Sequence, residues 1–115
     1  MMELTVEHLE GGLKKLNLKG RLDIEGTEKI GLSLSVETSV ERSFVIMDLS
    51  QTDFMSSVGI GMLVRSAKAL RLRGGNAVLF NPQPVVALVL KHTQIDTIIP
   101  VCYDLQEATQ TVVRV

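Results

Sequence analysis

The fold is decided by residues 44–73, which read FVIMDLSQTDFMSSVGIGMLVRSAKALRLR. The run from Phe44 to Leu49 is almost continuously apolar, which is typical of a central strand that is buried on both faces. From Ser57 to Arg73, apolar residues recur at helical spacing and two glycines follow, so the pattern predicts an amphipathic helix. Its apolar stripe consists of Ile60, Leu63, Val64, Ala67 and Leu70. We interpret Asp53 to Gly61 as the loop that joins this strand to this helix.

Upstream of this unit, the pattern predicts a hairpin and a helix. Apolar and polar residues alternate over residues 4–8 and again over 13–19. The glycines at 11 and 12 supply a turn between them, which indicates a hairpin with one buried face. Residues 20–23 end its second strand. A helix is then predicted from Glu25 to about Glu41, without one clear apolar face.

Downstream, strands and helices alternate. Residues 76–80 and 98–102 have the composition of strands, and a short helix from Pro84 to about Lys91 lies between them. Asp104 and Glu107 have the spacing of a capping box, which opens a terminal helix. The predicted order is ββαβαβαβα. It indicates an α/β fold in a single domain, residues 1–115, with about four helices on a mixed sheet of an initial hairpin and later parallel strands.

The composition excludes several classes of function. The chain has 115 residues, 45% hydrophobic and only 3% aromatic, so it can form an aliphatic core but offers few rings on which bases could stack. A net charge of −1 argues against direct DNA binding. One cysteine and two histidines in separate segments offer no metal-ligand spacing. With no leader and no apolar run near the roughly 20 residues of a spanning helix, we expect a cytoplasmic protein without membrane insertion.

Although the net charge of the chain is close to zero, one segment is basic. Residues 54–95 contain no acidic residue and five basic ones, and these are Arg65, Lys68, Arg71, Arg73 and Lys91. One interpretation is the solvated face of an amphipathic helix. The other is a docking surface for an acidic protein partner.

The two serines before the predicted second helix suggest a modification site. Either Ser56 or Ser57 serves as the N-cap, with its hydroxyl accepting a hydrogen bond from a free backbone N–H. The other hydroxyl is then spare, at a helix end where the negative charge of a phosphate is well tolerated. Gly59 and Gly61 each cost about 1 kcal/mol in a helix relative to alanine. They indicate either close helix–sheet packing or the close approach of a partner.

Catalytic arrangements find little support. The nucleophile elbow and the glycine-rich phosphate loops are absent. His8 and His92 fall on a predicted edge hairpin and a helix end, and nothing places either near Ser57. Cys102 is most simply a small core residue. We therefore assign no catalytic residue.

Five stretches of the chain together resemble the STAS domain, the module shared by sulfate transporters and bacterial anti-sigma factor antagonists. They are residues 18–23, 44–50, 54–63, 79–82 and 98–108, in the family's order over essentially the whole chain. The resemblance implies a small α/β domain with a mixed sheet, which agrees with the predicted order of elements.

For function, the resemblance implies a regulatory binding module and not an enzyme, with no cofactor and no metal. In this family the unphosphorylated antagonist binds an anti-sigma factor that is also a serine kinase, and so frees a sigma factor. Phosphorylation of a serine at the start of the second helix prevents that binding. Alignment of Phe54-Met55 and of the two glycines places Ser57 on this serine. The family's preceding acidic residue is Ser56 here, which makes Ser56 the alternative site.

The same resemblance implies that the second helix and its surroundings bind the partner. The expected contacts are Asp23, Ser56, Ser57, Val58, Gly59, Gly61, Met62, Arg65 and Lys68. Such a protein is expected to be a monomer or a weak dimer. A second hypothesis is a STAS scaffold or a transporter-associated cytosolic subunit that is never phosphorylated. A third, a small hydrolase with Ser57 as its nucleophile, has little support in the sequence.

Overall fold

The computed structural model describes residues 1–114, and within them lie six strands and four α-helices. The strands are β1 (Glu3–His8), β2 (Leu13–Leu22), β3 (Phe44–Asp48), β4 (Thr52–Met55), β5 (Asn76–Phe80) and β6 (Val101–Cys102). The helices are α1 (Ile24–Glu37), α2 (Ser57–Leu72), α3 (Pro84–His92) and α4 (Leu105–Val112). Short 3₁₀ segments span Glu10–Gly12 and Ile95–Thr97.

The strands form one mixed sheet in the order β1-β2-β3-β5-β6. β1 and β2 are antiparallel, and every later pairing is parallel. Gly11 and Gly12 form the turn of the initial hairpin with φ angles of 73° and 78°, which glycine adopts without steric cost. The structure thus confirms the predicted α/β fold with an initial hairpin and later parallel strands.

Helices cover both faces of the sheet. α1, α2 and α3 pack on one face, where the larger core cluster includes Leu34, Leu63 and Leu90 from the three helices. α4 packs on the other face against a smaller cluster that includes Ile46 and Val78. Strands β3 and β5 contribute to both clusters, which confirms that the run at 44–48 is buried on both sides.

β4 corrects the prediction that residues 53–61 form a loop. This strand pairs with the last residues of β2, beyond the part of β2 that pairs with β3. Its sequence has no alternation, because Thr52 and Met55 are buried while Asp53 and Phe54 are exposed. A register shift in β2 between Gly20 and Arg21 accompanies the pairing. The observed order of elements is therefore ββαββαβαβα.

Two further boundaries differ from the prediction. α1 ends at Glu37 and not near Glu41, with Thr38 as its C-cap, whose hydroxyl donates a hydrogen bond to the Leu34 carbonyl at 2.9 Å. The strand predicted over residues 98–102 is only Val101–Cys102. Its preceding residue is Pro100, which has no N–H to donate to the sheet, although its carbonyl accepts from Leu79 at 2.9 Å.

Candidate functional site

The serine pair lies at the edge of the sheet where β2 and β4 end and α1 and α2 begin. These strands are parallel neighbours, with Leu22 opposite Met55. The chain enters α1 just after Leu22 and α2 just after Met55. The N-termini of both helices therefore lie at the same edge, with Asp23 capping α1 and Ser56 capping α2.

Ser56 is held by hydrogen bonds on both sides of its hydroxyl. Its Oγ accepts a bond from the Gly59 N–H at 3.2 Å and donates one to the Leu22 carbonyl at 2.9 Å. The Ser56 N–H donates to the same carbonyl at 3.0 Å. Ser57, the first helical residue, is exposed, and its hydroxyl has no hydrogen-bond partner within residues 1–114. Of the two alternatives, Ser56 is thus the cap and Ser57 carries the spare hydroxyl.

The two glycines of α2 have different surroundings. At Gly59, an added Cβ would lie 2.7 Å from both the Leu22 Cγ and the Leu22 carbonyl oxygen. At Gly61, it would meet only the Arg65 Nη1, at 3.2 Å. Close packing against β2 therefore requires a glycine at Gly59, whereas nothing in the sheet requires one at Gly61.

Exposed apolar side chains lie near Ser57. Val58 is 43% exposed and Phe54, at the end of β4, is 37% exposed. The Arg21 guanidinium carbon lies 4.2 Å from the centre of the Phe54 ring, a cation–π contact. We did not predict Arg21 and Phe54 as site residues, although both lie in the stretches that resemble the family. Their pairing depends on the register of β2 and β4, which no local pattern reveals.

Asp23 combines a structural and an electrostatic role at this edge. Its Oδ1 accepts a hydrogen bond from the Gly26 N–H at 2.8 Å, and its Oδ2 lies 3.4 Å from the Arg21 Nε. The bond from the Gly26 N–H and the nearby Arg21 guanidinium hold the pKa of Asp23 below its ordinary value. The carboxylate is therefore ionised and balances part of the Arg21 charge.

The basic side chains of α2 divide into two kinds. Arg71 donates to the Ile98 carbonyl at 2.7 Å and to the Asn76 Oδ1 at 3.0 Å, and Arg73 donates to the Ala69 carbonyl at 3.2 Å. Arg65 and Lys68 are exposed and make no hydrogen bond or ion pair within residues 1–114. Only Arg65 and Lys68 on this helix are thus positive charges that the fold does not use.

A family comparison identifies this architecture. The STAS domain model matches residues 5–108. The chain belongs to the STAS domain family. A relative from Bordetella bronchiseptica, BtrV, provisionally named an anti-sigma factor antagonist, is 28% identical over 107 residues, which are 93% of this chain and 91% of BtrV.

Solved structures share the fold of this STAS domain. An anti-sigma factor antagonist from Mycobacterium paratuberculosis superposes with a TM-score of 0.84 at 18% identity, over 97% of this chain and 94% of that one. The phosphorylated form of the Bacillus cell fate determinant SpoIIAA superposes with a TM-score of 0.70 at 22% identity, over 96% and 99% of the two chains. The STAS domain described here therefore has the fold of anti-sigma factor antagonists.

Two of the predicted contact residues are buried in this STAS domain. Met62 is only 7% exposed and belongs to the larger core cluster, and Gly59 is covered by Leu22. In the unbound domain these two residues hold α2 on the sheet, and their role as partner contacts stays a prediction. Of the predicted contacts, the exposed ones are Ser57 and Val58 at this edge, with Arg65 and Lys68 further along α2.

Away from this edge, Lys15, Glu7 and Asp48 form an ion-pair cluster, and Cys102 lies in the core. Lys15 pairs with Glu7 at 3.1 Å and Asp48 at 3.2 Å. Burial opposes the charge of Lys15, but hydrogen bonds to these carboxylates outweigh it and raise its pKa. A hydrogen bond from Asn17, and then one from Lys15, lowers the pKa of Glu7. Cys102 is buried, as predicted, and burial raises the pKa of its thiol.

Residues 1–114 contain no group of three or more His, Cys, Asp or Glu side chains that could hold a metal ion. Over the same residues, every helix is too short or too polar to cross a membrane.

Proposed function

We propose that this STAS domain is an anti-sigma factor antagonist that works by partner switching. In its unphosphorylated form it binds an anti-sigma factor with serine-kinase activity and so frees a sigma factor in the cytoplasm. Transfer of the γ-phosphoryl group of ATP to the Ser57 hydroxyl, with release of ADP and a proton, ends that binding. The protein acts as one domain, as a monomer or a weak dimer, and it is a substrate and binding partner, not an enzyme.

The observation that carries this proposal is that the fold uses the hydroxyl of one serine and leaves that of the other without a partner within residues 1–114. Ser56 uses its hydroxyl to cap α2 and to bond β2, so the fold occupies it. Ser57 is exposed beside Val58 and has no structural task. A dianion at Ser57 would introduce charge and bound water into a docking surface. The name of BtrV and the existence of a phosphorylated form of SpoIIAA support the same assignment.

The partner surface that fits this proposal extends along the exposed side of α2. Val58 and Phe54 supply apolar area next to Ser57, while Arg65 and Lys68 supply positive charge without internal partners. An anti-sigma factor with an acidic contact surface would complement both features. The segment also contains no acidic residue from 54 to 95, so it offers no repulsion to such a partner.

A phosphorylation assay and a binding assay test the proposal. The purified kinase-type anti-sigma factor encoded nearest to this gene is incubated with ATP and either the wild type, Ser57→Ala or Ser56→Ala, and the products are mapped by mass spectrometry. We expect phosphate on Ser57 in the wild type and in Ser56→Ala, and none in Ser57→Ala. Ser57→Asp should weaken partner binding at least about tenfold, or about 1.4 kcal/mol, in calorimetry. Phosphate on Ser56 alone, or unweakened binding by Ser57→Asp, would contradict the switch.

A second candidate function is a STAS scaffold or transporter-associated subunit that is never phosphorylated. The observation in its favour is that Ser56, the N-cap of α2, stands where the family has an acidic residue, and the first turn of α2 has no acidic residue to replace it. In that case the exposed edge would bind its partner constitutively. Stable binding of a transporter subunit, with no phosphate transferred to either serine, would select this candidate.

A further inference from the structure

Ser57, Gly61 and Arg65 form a row on one side of α2. Residues four apart lie one above the other on a helix, so these three share a face. Helical side chains tilt toward the N-terminus, and the Arg65 side chain accordingly extends back over Gly61. Its Nη1 lies 3.2 Å from the position that a Cβ of residue 61 would occupy. The free guanidinium is thus directed along the helix toward Ser57.

Gly61 leaves an open notch between Ser57 and Arg65. Within residues 1–114, and apart from its chain neighbours and the helix backbone, the Arg65 guanidinium is the only group within 4 Å of that Cβ position. The notch therefore has no packing cause, in contrast to Gly59. Arg65 has no ion-pair partner in the same residues. An unpaired guanidinium thus lies beside Gly61, one helical turn from Ser57 on the same face of α2.

We propose that Arg65 binds the phosphate of phosphorylated Ser57 across the notch at Gly61. This inference rests on the proposed function, in which Ser57 is the modified residue. The Cβ positions of residues 57 and 61, four apart on the helix, are about 5–6 Å apart, and the Arg65 Nη1 lies 3.2 Å from the second of them, so a phosphoryl group on Ser57 extends into the space beside this guanidinium. Guanidinium groups form short, charge-assisted and often bidentate hydrogen bonds with phosphate. Arg65 is therefore the phosphate ligand of the modified protein.

The consequence for regulation is that phosphorylation of Ser57 would also remove the Arg65 guanidinium from the partner. Without phosphate, the Arg65 charge is available to an acidic group of the partner. With phosphate, the same guanidinium is engaged within the molecule, and the partner loses that contact while it also meets the dianion. Phosphorylation then changes the charge that the docking face presents at two places, at Ser57 itself and at Arg65, two turns along α2.

The test measures the phosphate directly and needs neither kinase nor partner. Phosphoserine is incorporated at position 57 by codon suppression, and its second ionisation is followed by ³¹P NMR in the wild type, Arg65→Gln and Lys68→Gln. An exposed phosphoserine has a pKa of about 6, and we expect the wild-type pKa to be at least about 0.5 below that of Arg65→Gln. Lys68→Gln, the matched control, should titrate as the wild type does. The other charged groups at this edge, Arg21, Asp23 and Asp53, are common to all three proteins.

A second variant tests whether Arg65 reaches the phosphate over the open space at Gly61. In Gly61→Ala the new methyl group lies 3.2 Å from the Arg65 Nη1 position, so the guanidinium must shift by a few tenths of an ångström. The phosphate pKa should then lie between the wild-type and Arg65→Gln values, and the phosphorylation-dependent shift of the Arg65 Nε–Hε signal should become smaller. Equal phosphate pKa values in the wild type and Arg65→Gln, or an unchanged value in Gly61→Ala, would overturn the proposal. Because the phosphate is installed without a kinase, these outcomes are independent of whether a kinase modifies Ser57 and whether a partner is released.

Discussion

The inner and outer sides of the first turns of α2 use the same residue types for different purposes. On the inner side, Ser56 and Gly59 are both fixed by Leu22 of β2, one by hydrogen bonds and the other by close packing. On the outer side, Ser57 and Gly61 have no contact that explains their identity. The comparison teaches that a residue is a good functional candidate when its neighbour of the same type already fulfils the structural role.

The largest expected effect is a difference in stability between two alanine variants, Gly59→Ala and Gly61→Ala. Gly59→Ala should lower the free energy of unfolding by about 1–3 kcal/mol, because the new methyl group would overlap the Leu22 carbonyl and side chain. Gly61→Ala should raise it by up to about 1 kcal/mol, because alanine is the better helix former and only the flexible end of Arg65 must move. Urea unfolding of both variants measures the difference. Equal changes in the two proteins would show that the two sides of α2 are not distinct.

The two serines should differ by a smaller amount in the same measurement. Ser56→Ala removes the cap of α2 and the bond to the Leu22 carbonyl, for an expected loss of about 1 kcal/mol in the free energy of unfolding. Ser57→Ala removes an exposed hydroxyl without a partner, and we expect a change within about 0.5 kcal/mol. A loss in Ser57→Ala as large as that in Ser56→Ala would mean that Ser57 has a structural role after all.

The sequence predicted the parts of this region that depend on local pattern. The strand at 44–48 and the helix from Ser57 follow from runs and spacings of apolar residues, and the structure confirms both. The pattern also indicated that one of the two serines caps the helix, but it could not distinguish them. That choice depends on the Leu22 carbonyl, which comes from a strand 34 residues away.

What the sequence could not predict depends on contacts between distant segments. β4 has no alternation, and what identifies it as a strand is its pairing with the end of β2. The different surroundings of Gly59 and Gly61, and the contact of Arg21 with Phe54, likewise depend on how β2 lies beside β4 and α2. The extent of the single domain over residues 1–115 and the identity of the modified serine stay predictions.

The smallest expected effect is a difference in pH dependence between the stability contributed by the Asp23 cap and that contributed by the Ser56 cap. Asp23 caps α1 as Ser56 caps α2, but only Asp23 titrates. Its hydrogen bond from the Gly26 N–H, together with Arg21, lowers its pKa below the ordinary 3.8. A carboxylate with a lowered pKa contributes stability that is complete above its unfolded pKa and is lost as the pH falls through the folded value. Asparagine at this position keeps a capping oxygen but does not titrate. The stability difference between the wild type and Asp23→Asn should therefore shift in favour of the variant as the pH falls from about 5 to about 3, in urea unfolding at each pH. The loss caused by Ser56→Ala should stay constant over the same range, because a serine hydroxyl carries no charge in it. A difference between the wild type and Asp23→Asn that is independent of pH would show that the ionised carboxylate gains nothing from its contacts at this edge.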